Sequence, residues 1–168
     1  VLNQLYSYTQ MQVSFGVIML ALVDGRPKVM TIKEALAQYV EHRKEVIVRR
    51  TKFDLAKAEA RAHLVEGLKI AIDAINQVIK IIRESKDTEE ARKSLMQQLG
   101  LSLRQATAIL DMRLAQLTGL ERKKLDEEYK ELIKTIERLR SILAAMRKVL
   151  EIVKEELEYL KKNYGQER

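Results

Sequence analysis

Few side chains in this sequence are placed to do chemistry. Two histidines, His42 and His63, stand 21 residues apart in one helical stretch, with no cysteine in the chain and no HExxH spacing. A zinc site needs three or four such ligands brought together, so each histidine reads as an ordinary interfacial residue. The six glycines are isolated and form no phosphate-binding loop. Carboxylates are numerous but alternate with Lys and Arg three or four residues away, as in Glu127–Lys130 and Glu151–Lys154. That spacing makes solvated pairs along a helix, worth a few tenths of a kcal/mol each. Tyr8 is followed by Thr9, with nothing nearby to activate a phenol as a nucleophile. The expectation is no catalytic residue, no cofactor site and no metal site.

One charge feature stands out. From Glu41 to His63 there are seven basic residues (43, 44, 49, 50, 52, 57, 61) against four acidic ones (41, 45, 54, 59), in a chain of net charge +7. Arg43, Lys44, Arg49 and Arg50 are the candidate DNA-facing set, because Lys and Arg on one face bind a phosphate backbone without reading sequence. The same residues also suit a solvated helix face whose long stems cover an apolar seam.

The elements that position these groups are long helices. Leu125, Tyr129, Leu132, Ile136, Leu139, Leu143, Met146, Leu150, Val153, Leu157, Leu160 and Tyr164 step by four and three without a slip. Such a heptad seam needs a partner helix along its length. The partner begins at Thr31–Glu34, a capping box, and meets no glycine until Gly67. It predicts a helix over 31–73, about 65 Å long, antiparallel to a returning helix over 119–164. Because 143–148 consists of strong helix formers, the returning helix is expected to be continuous.

Between the arms, 74–118 holds three short helices: Ala74–Glu84, one from the Asp87 cap to Gln98 before Gly100, and one from the Ser102–Gln105 capping box to Leu117. Thr118–Glu121 reads as a further capping box. These helices carry more apolar side chains than they can bury on themselves, which predicts a mini-core plus a self-complementary patch. Near the N-terminus, Asp24–Gly25 between apolar runs predicts a β-hairpin, roughly 17–23 with 27–30. The fold class is therefore mainly α: a long antiparallel coiled-coil hairpin with a small helical knob at its tip and a short β-hairpin near the N-terminus. The start at Val1, Leu2 and Leu5, already at helical spacing, suggests a piece of a longer chain. The longest apolar run, Val17 to Val23, is too short to cross a membrane.

Several strings resemble the A subunit of bacterial type IIA DNA topoisomerases (gyrase or topoisomerase IV): Leu5-Tyr6-Ser7-Tyr8-Thr9-Gln10, Asp24-Gly25-Arg26-Pro27-Lys28, Glu41-His42-Arg43-Lys44-Glu45-Val46, Arg61-Ala62-His63-Leu64-Val65-Glu66-Gly67, and Gln105-Ala106-Thr107-Ala108-Ile109-Leu110-Asp111-Met112-Arg113. The resemblance is collinear over essentially the whole chain. It implies the segment after the DNA-cleaving modules, whose knobs meet across a two-fold axis as the exit gate for the transported duplex. By this resemblance 1–30 is the base, 31–73 and 119–164 are the arms, and 74–118 is the knob. Leu103, Ala106, Ile109, Leu110, Met112 and Arg113 are then the candidate dimer interface. The implied partners are a second copy, duplex DNA and the ATPase B subunit, in the cytoplasm. The family's tyrosine-bearing winged-helix module is not in this sequence, so this chain alone is not expected to be an enzyme. The family's usual polar interruption of the returning arm is also missing at 143–148, which suggests an engineered sequence. The alternatives are a basic coiled-coil arm that binds duplex DNA non-specifically, or an engineered antiparallel coiled-coil scaffold without activity.

Overall fold

The computed structural model describes residues 1–112 and 119–166. Two compact units divide it, Val1–Glu45 and Val46–Arg168.

In the first unit, α1 (Leu2–Tyr8) is followed by β1 (Leu20–Val23) and β2 (Arg26–Val29). The strands pair antiparallel with Val23 opposite Arg26, so Asp24-Gly25 is a two-residue turn. Both turn residues have positive φ, 51° and 76°, the type I′ geometry whose twist matches the flanking strands. The hairpin is shorter than expected, with 17–19 outside it. Helix α2 (Ile32–Asp73) starts in this unit. Its cap is a full capping box. Glu34 N–H donates to Thr31 Oγ1 at 3.3 Å, and Thr31 N–H donates to Glu34 Oε2 at 2.8 Å.

The second unit begins part-way along α2 and contains α3 (Ile75–Glu84), α4 (Thr88–Leu99), α5 (Leu103–Leu110), α6 (Gly119–Ala144) and α7 (Met146–Tyr164). Asp87 caps α4 by accepting from Glu90 N–H at 2.7 Å, and Gly100 ends it at φ 64°. Ser102 and Gln105 form a capping box on α5. That helix ends at Leu110, short of the expected Leu117, with Asp111 as its C-cap. The remainder of that expected helix, from residue 113, and Thr118 of the last capping box lie outside the described residues.

Five ion pairs fix the direction of the arms. Arg50 pairs with Glu156, Glu59 with Arg140, Arg61 with Glu128, Lys69 with Asp126, and Asp73 with Arg122. As the number rises along α2 the partner's number falls, so the helices are antiparallel. Being largely exposed, these pairs set register more than stability. Apolar packing adds Ala62, Val65, Ile136 and Leu139 along the arms and two buried clusters. Ile47, Val149 and Val153 pack together between α2 and α7. At the other end Ala71, Val78, Ile81, Leu95, Leu101, Ala106 and Ile109 form the core of the short helices.

The returning helix is not continuous, contrary to the expectation from its composition. Ala145 is extended, at φ −132° and ψ 109°, and separates α6 from α7. Lys148 N–H then donates to its carbonyl at 2.9 Å, which starts the new helix. The buried line changes close to the break. In α6 the heptad residues Ile136 and Leu139 are buried. In α7 the heptad residue Val153 stays buried while Met146, Leu150, Leu157 and Leu160 are exposed, and Val149, off the heptad, is buried. At Val149 the buried line departs from the heptad by one residue, about 100° around the helix. The extended residue lies just before that departure, where Val149 packs against Ile47 in place of Leu150.

Candidate functional site

In the basic cluster, the structure leaves few cations free. Lys44 Nζ lies 2.8 Å from Glu41, and Arg50 Nη2 lies 2.8 Å from Glu156. Arg43 also has an interaction partner. Arg61 makes a two-pronged contact with Glu128, Nε to Oε1 at 2.6 Å and Nη2 to Oε2 at 3.0 Å, the strong geometry for this pair. Hydrogen bonding to Glu128 raises the Arg61 pKa further. Lys69 Nζ sits 2.7 Å from Asp126 and 4.7 Å from the Tyr129 ring centroid. Its hydrogen bond holds the Asp126 carboxyl below its usual range. Of the candidate DNA-facing residues, Arg49 alone is exposed without an ion-pair partner among the described residues. Lys52, Lys57 and Phe53 are also exposed on α2, Phe53 strongly so. The positions 49, 53 and 57 share one face at a four-residue step.

In the short helices, the candidate interface residues divide. Ala106 and Ile109 are buried in the chain's own core, and Leu110 packs against it. Met112 is half-buried. Leu103 is 55% exposed, the most exposed large apolar side chain of α3–α5, with Ile79 and Ile82 the others. Arg113 lies outside the described residues. In α3 Val78 and Ile81 are buried, while Ile79 and Ile82 are exposed.

Sequence reasoning missed one polar cluster. His63 Nε2 lies 2.7 Å from Ser102 Oγ, a separation seen between a nucleophile and its base. The surroundings exclude that role. The Ser102 hydroxyl is the cap of α5 and accepts from Gln105 N–H at 3.3 Å. The other ring nitrogen faces the Gln105 amide at 3.4 Å, not a carboxylate. The capping-box signal at Ser102–Gln105 was visible in the sequence, but its contact with His63, about 40 residues away, was not. Among the described residues no group of three His, Cys, Asp or Glu is placed to hold a metal ion. A pocket of about 140 Å³ between α2 and α6 is lined by Lys69, Asp73, Arg122 and Asp126, all committed to the ion pairs above. No helix among the described residues is long and apolar enough to cross a membrane.

The family of the DNA gyrase and topoisomerase IV A subunits matches residues 1–158. The chain belongs to that family. It is 55% identical over its whole length to the DNA gyrase A subunit of Clostridium acetobutylicum. It is 56% identical over 167 residues to that of Halalkalibacterium halodurans, and 51% identical over 168 residues to that of Staphylococcus aureus. The chain spans only about a fifth of the length of each of these relatives: 20%, 20% and 19%.

Proposed function

We propose that this chain is the arm-and-gate region of the A subunit of a type IIA DNA topoisomerase. Residues 1–30 serve as the base, 31–73 and 119–164 as the two arms of a coiled-coil hairpin, and 74–118 as the knob. Two knobs meet about a two-fold axis and form the exit gate for the transported duplex. The observation that carries this reading is the exposure of Leu103. The short helices close a core of their own and still leave an apolar residue in the first turn of α5 facing solvent. An exposed apolar residue beside a well-packed core suits a self-complementary contact. Working partners are then a second copy, duplex DNA and the B subunit, in the cytoplasm. DNA cleavage belongs to modules outside this stretch, so the chain alone neither cleaves nor relaxes DNA.

The test is sedimentation of the 168-residue chain over a range of concentrations. The gate reading predicts a dimer that dissociates on dilution. A monomer at high micromolar concentration contradicts it. A second reading, non-specific binding of duplex DNA, is favoured by Arg49, Lys52 and Lys57 alone. A gel shift decides it, since phosphate-driven binding must weaken steeply with salt.

A further inference from the structure

Gln105 is a polar residue buried in an apolar core, only 5% exposed. All of its polar atoms are used. Oε1 accepts Ser102 N–H at 2.9 Å, and Nε2 donates to the His63 carbonyl at 2.7 Å. Gln105 Nε2 faces His63 Nδ1 at 3.4 Å, and the tautomer that satisfies this contact leaves Nδ1 as the acceptor. The ring proton then sits on Nε2 and is donated to Ser102 Oγ at 2.7 Å. The stem of the same side chain lies on Gly67. A Cβ built at Gly67 would fall 2.5 Å from Gln105 Cγ and 2.7 Å from its Cβ. The Cβ is fixed to the backbone and cannot move aside without moving α5 itself.

We infer that Gly67, His63, Ser102 and Gln105 form a latch between α2 and α5, and that Gln105 is the positioning residue for the self-association surface. The second clause rests on the gate reading above. Three features favour a latch over ordinary packing. A buried amide with every group paired accepts one orientation only, because any other leaves a buried donor or acceptor unmet. Three residues, His63 on α2 with Ser102 and Gln105 at the start of α5, share one set of bonds, so a shift of α2 must carry α5 with it. The glycine brings the helices closer than any other residue at 67 would allow. The surface bearing Leu103 begins one residue after Ser102, on the turn that the latch holds.

The chain contains no cysteine, so spin labels at Lys57→Cys and Arg104→Cys, both exposed positions, report the α2–α5 distance alone. The labelled chain is diluted with unlabelled chain so that only distances within one molecule are read. The parent, Gly67→Ala, Gln105→Ala and the double variant are compared, with sedimentation of each alongside. Gly67→Ala is expected to shift or broaden the distance and weaken self-association at least tenfold. Gln105→Ala alone broadens the distance, and the double variant still shifts it, because the Cβ retained at 105 lies 2.7 Å from the new Cβ at 67. Unchanged distances in both single variants overturn the latch. If the parent proves monomeric, the gate reading fails while the distances still judge the latch. If Gly67→Ala fails to fold, Gln105→Ala decides, an unchanged distance overturning the latch. Nitrogen NMR of His63 provides an independent reading: a proton on Nε2 supports the latch, and one on Nδ1 overturns it.

Discussion

Glu34 does two things at the start of α2. It completes the capping box with Thr31, and it pairs with Lys28 at 3.2 Å. The Thr31 backbone N–H, then Lys28, then the Thr31 hydroxyl lower its pKa from 4.5 to about 2. The folded value lies below the unfolded one, so this contribution is fully present above about pH 4.5 and disappears as the pH falls through about 2. A carboxyl-carbon NMR titration should place the Glu34 midpoint near 2, and a midpoint near 4.5 would show that the box is open in solution. Thr31 and Glu34 were legible as a cap because the signal is local and three residues long. The same is true of Asp87 with Glu90 and Ser102 with Gln105. The His63 contact was not legible, because it depends on how α5 is laid on α2. Ion pairing of Lys44 within α2 was a matter of local spacing, but that of Arg50 required the register of two distant helices.

At the scale of the element, the break at Ala145 separates what periodicity can show from what packing decides. The run from Leu125 to Tyr164 obeys a heptad without interruption, and both halves are helical. Which line of side chains is buried changes at the break. Two substitutions test this. Val149→Ala is expected to cost about 2 kcal/mol, because a residue 2% exposed loses contacts that neighbours cannot replace. Met146→Gln, 59% exposed on the uninterrupted heptad, is expected to change stability by less than about 0.5 kcal/mol. Denaturant melts showing the reverse order would mean that the helix is continuous in solution. Ala145 also caps α7 without a side-chain hydrogen bond. Ala145→Asp supplies one and favours the positive end of the helix, so it should raise stability by about 1 kcal/mol. In a continuous helix the same change would destabilise, since aspartate is a poor helix-interior residue. The hairpin, the long helix and the short helices were all legible from caps, turns and glycines. The core-facing side of α3 was not, since Ile75, Val78, Ile79, Ile81 and Ile82 offer apolar residues on more than one face.

For the whole molecule, the arms are held in register by charge and closed by two small apolar clusters, one between α2 and α7 and one among the short helices. Stability then rests on few residues. Ile47→Ala, at a fully buried position, should cost about 2–5 kcal/mol, read as a lower melting midpoint with the tip core intact. The family was legible from collinear strings over the whole chain. The proposed contact surface was only partly so, because two of the candidate contact residues, Ala106 and Ile109, turn inward to the chain's own core. A charge at Ile109 would therefore unfold the tip before it tested any interface. Leu103 is the position where a charge separates the two effects. The most direct measurement is the sedimentation mass of the parent chain beside Leu103→Glu at equal high micromolar concentration, with thermal melts of both. The gate account predicts a dimeric parent, a monomeric variant and the same helical content, with no loss of core packing in the monomer. A variant that stays dimeric, or a parent that is already monomeric, would contradict it.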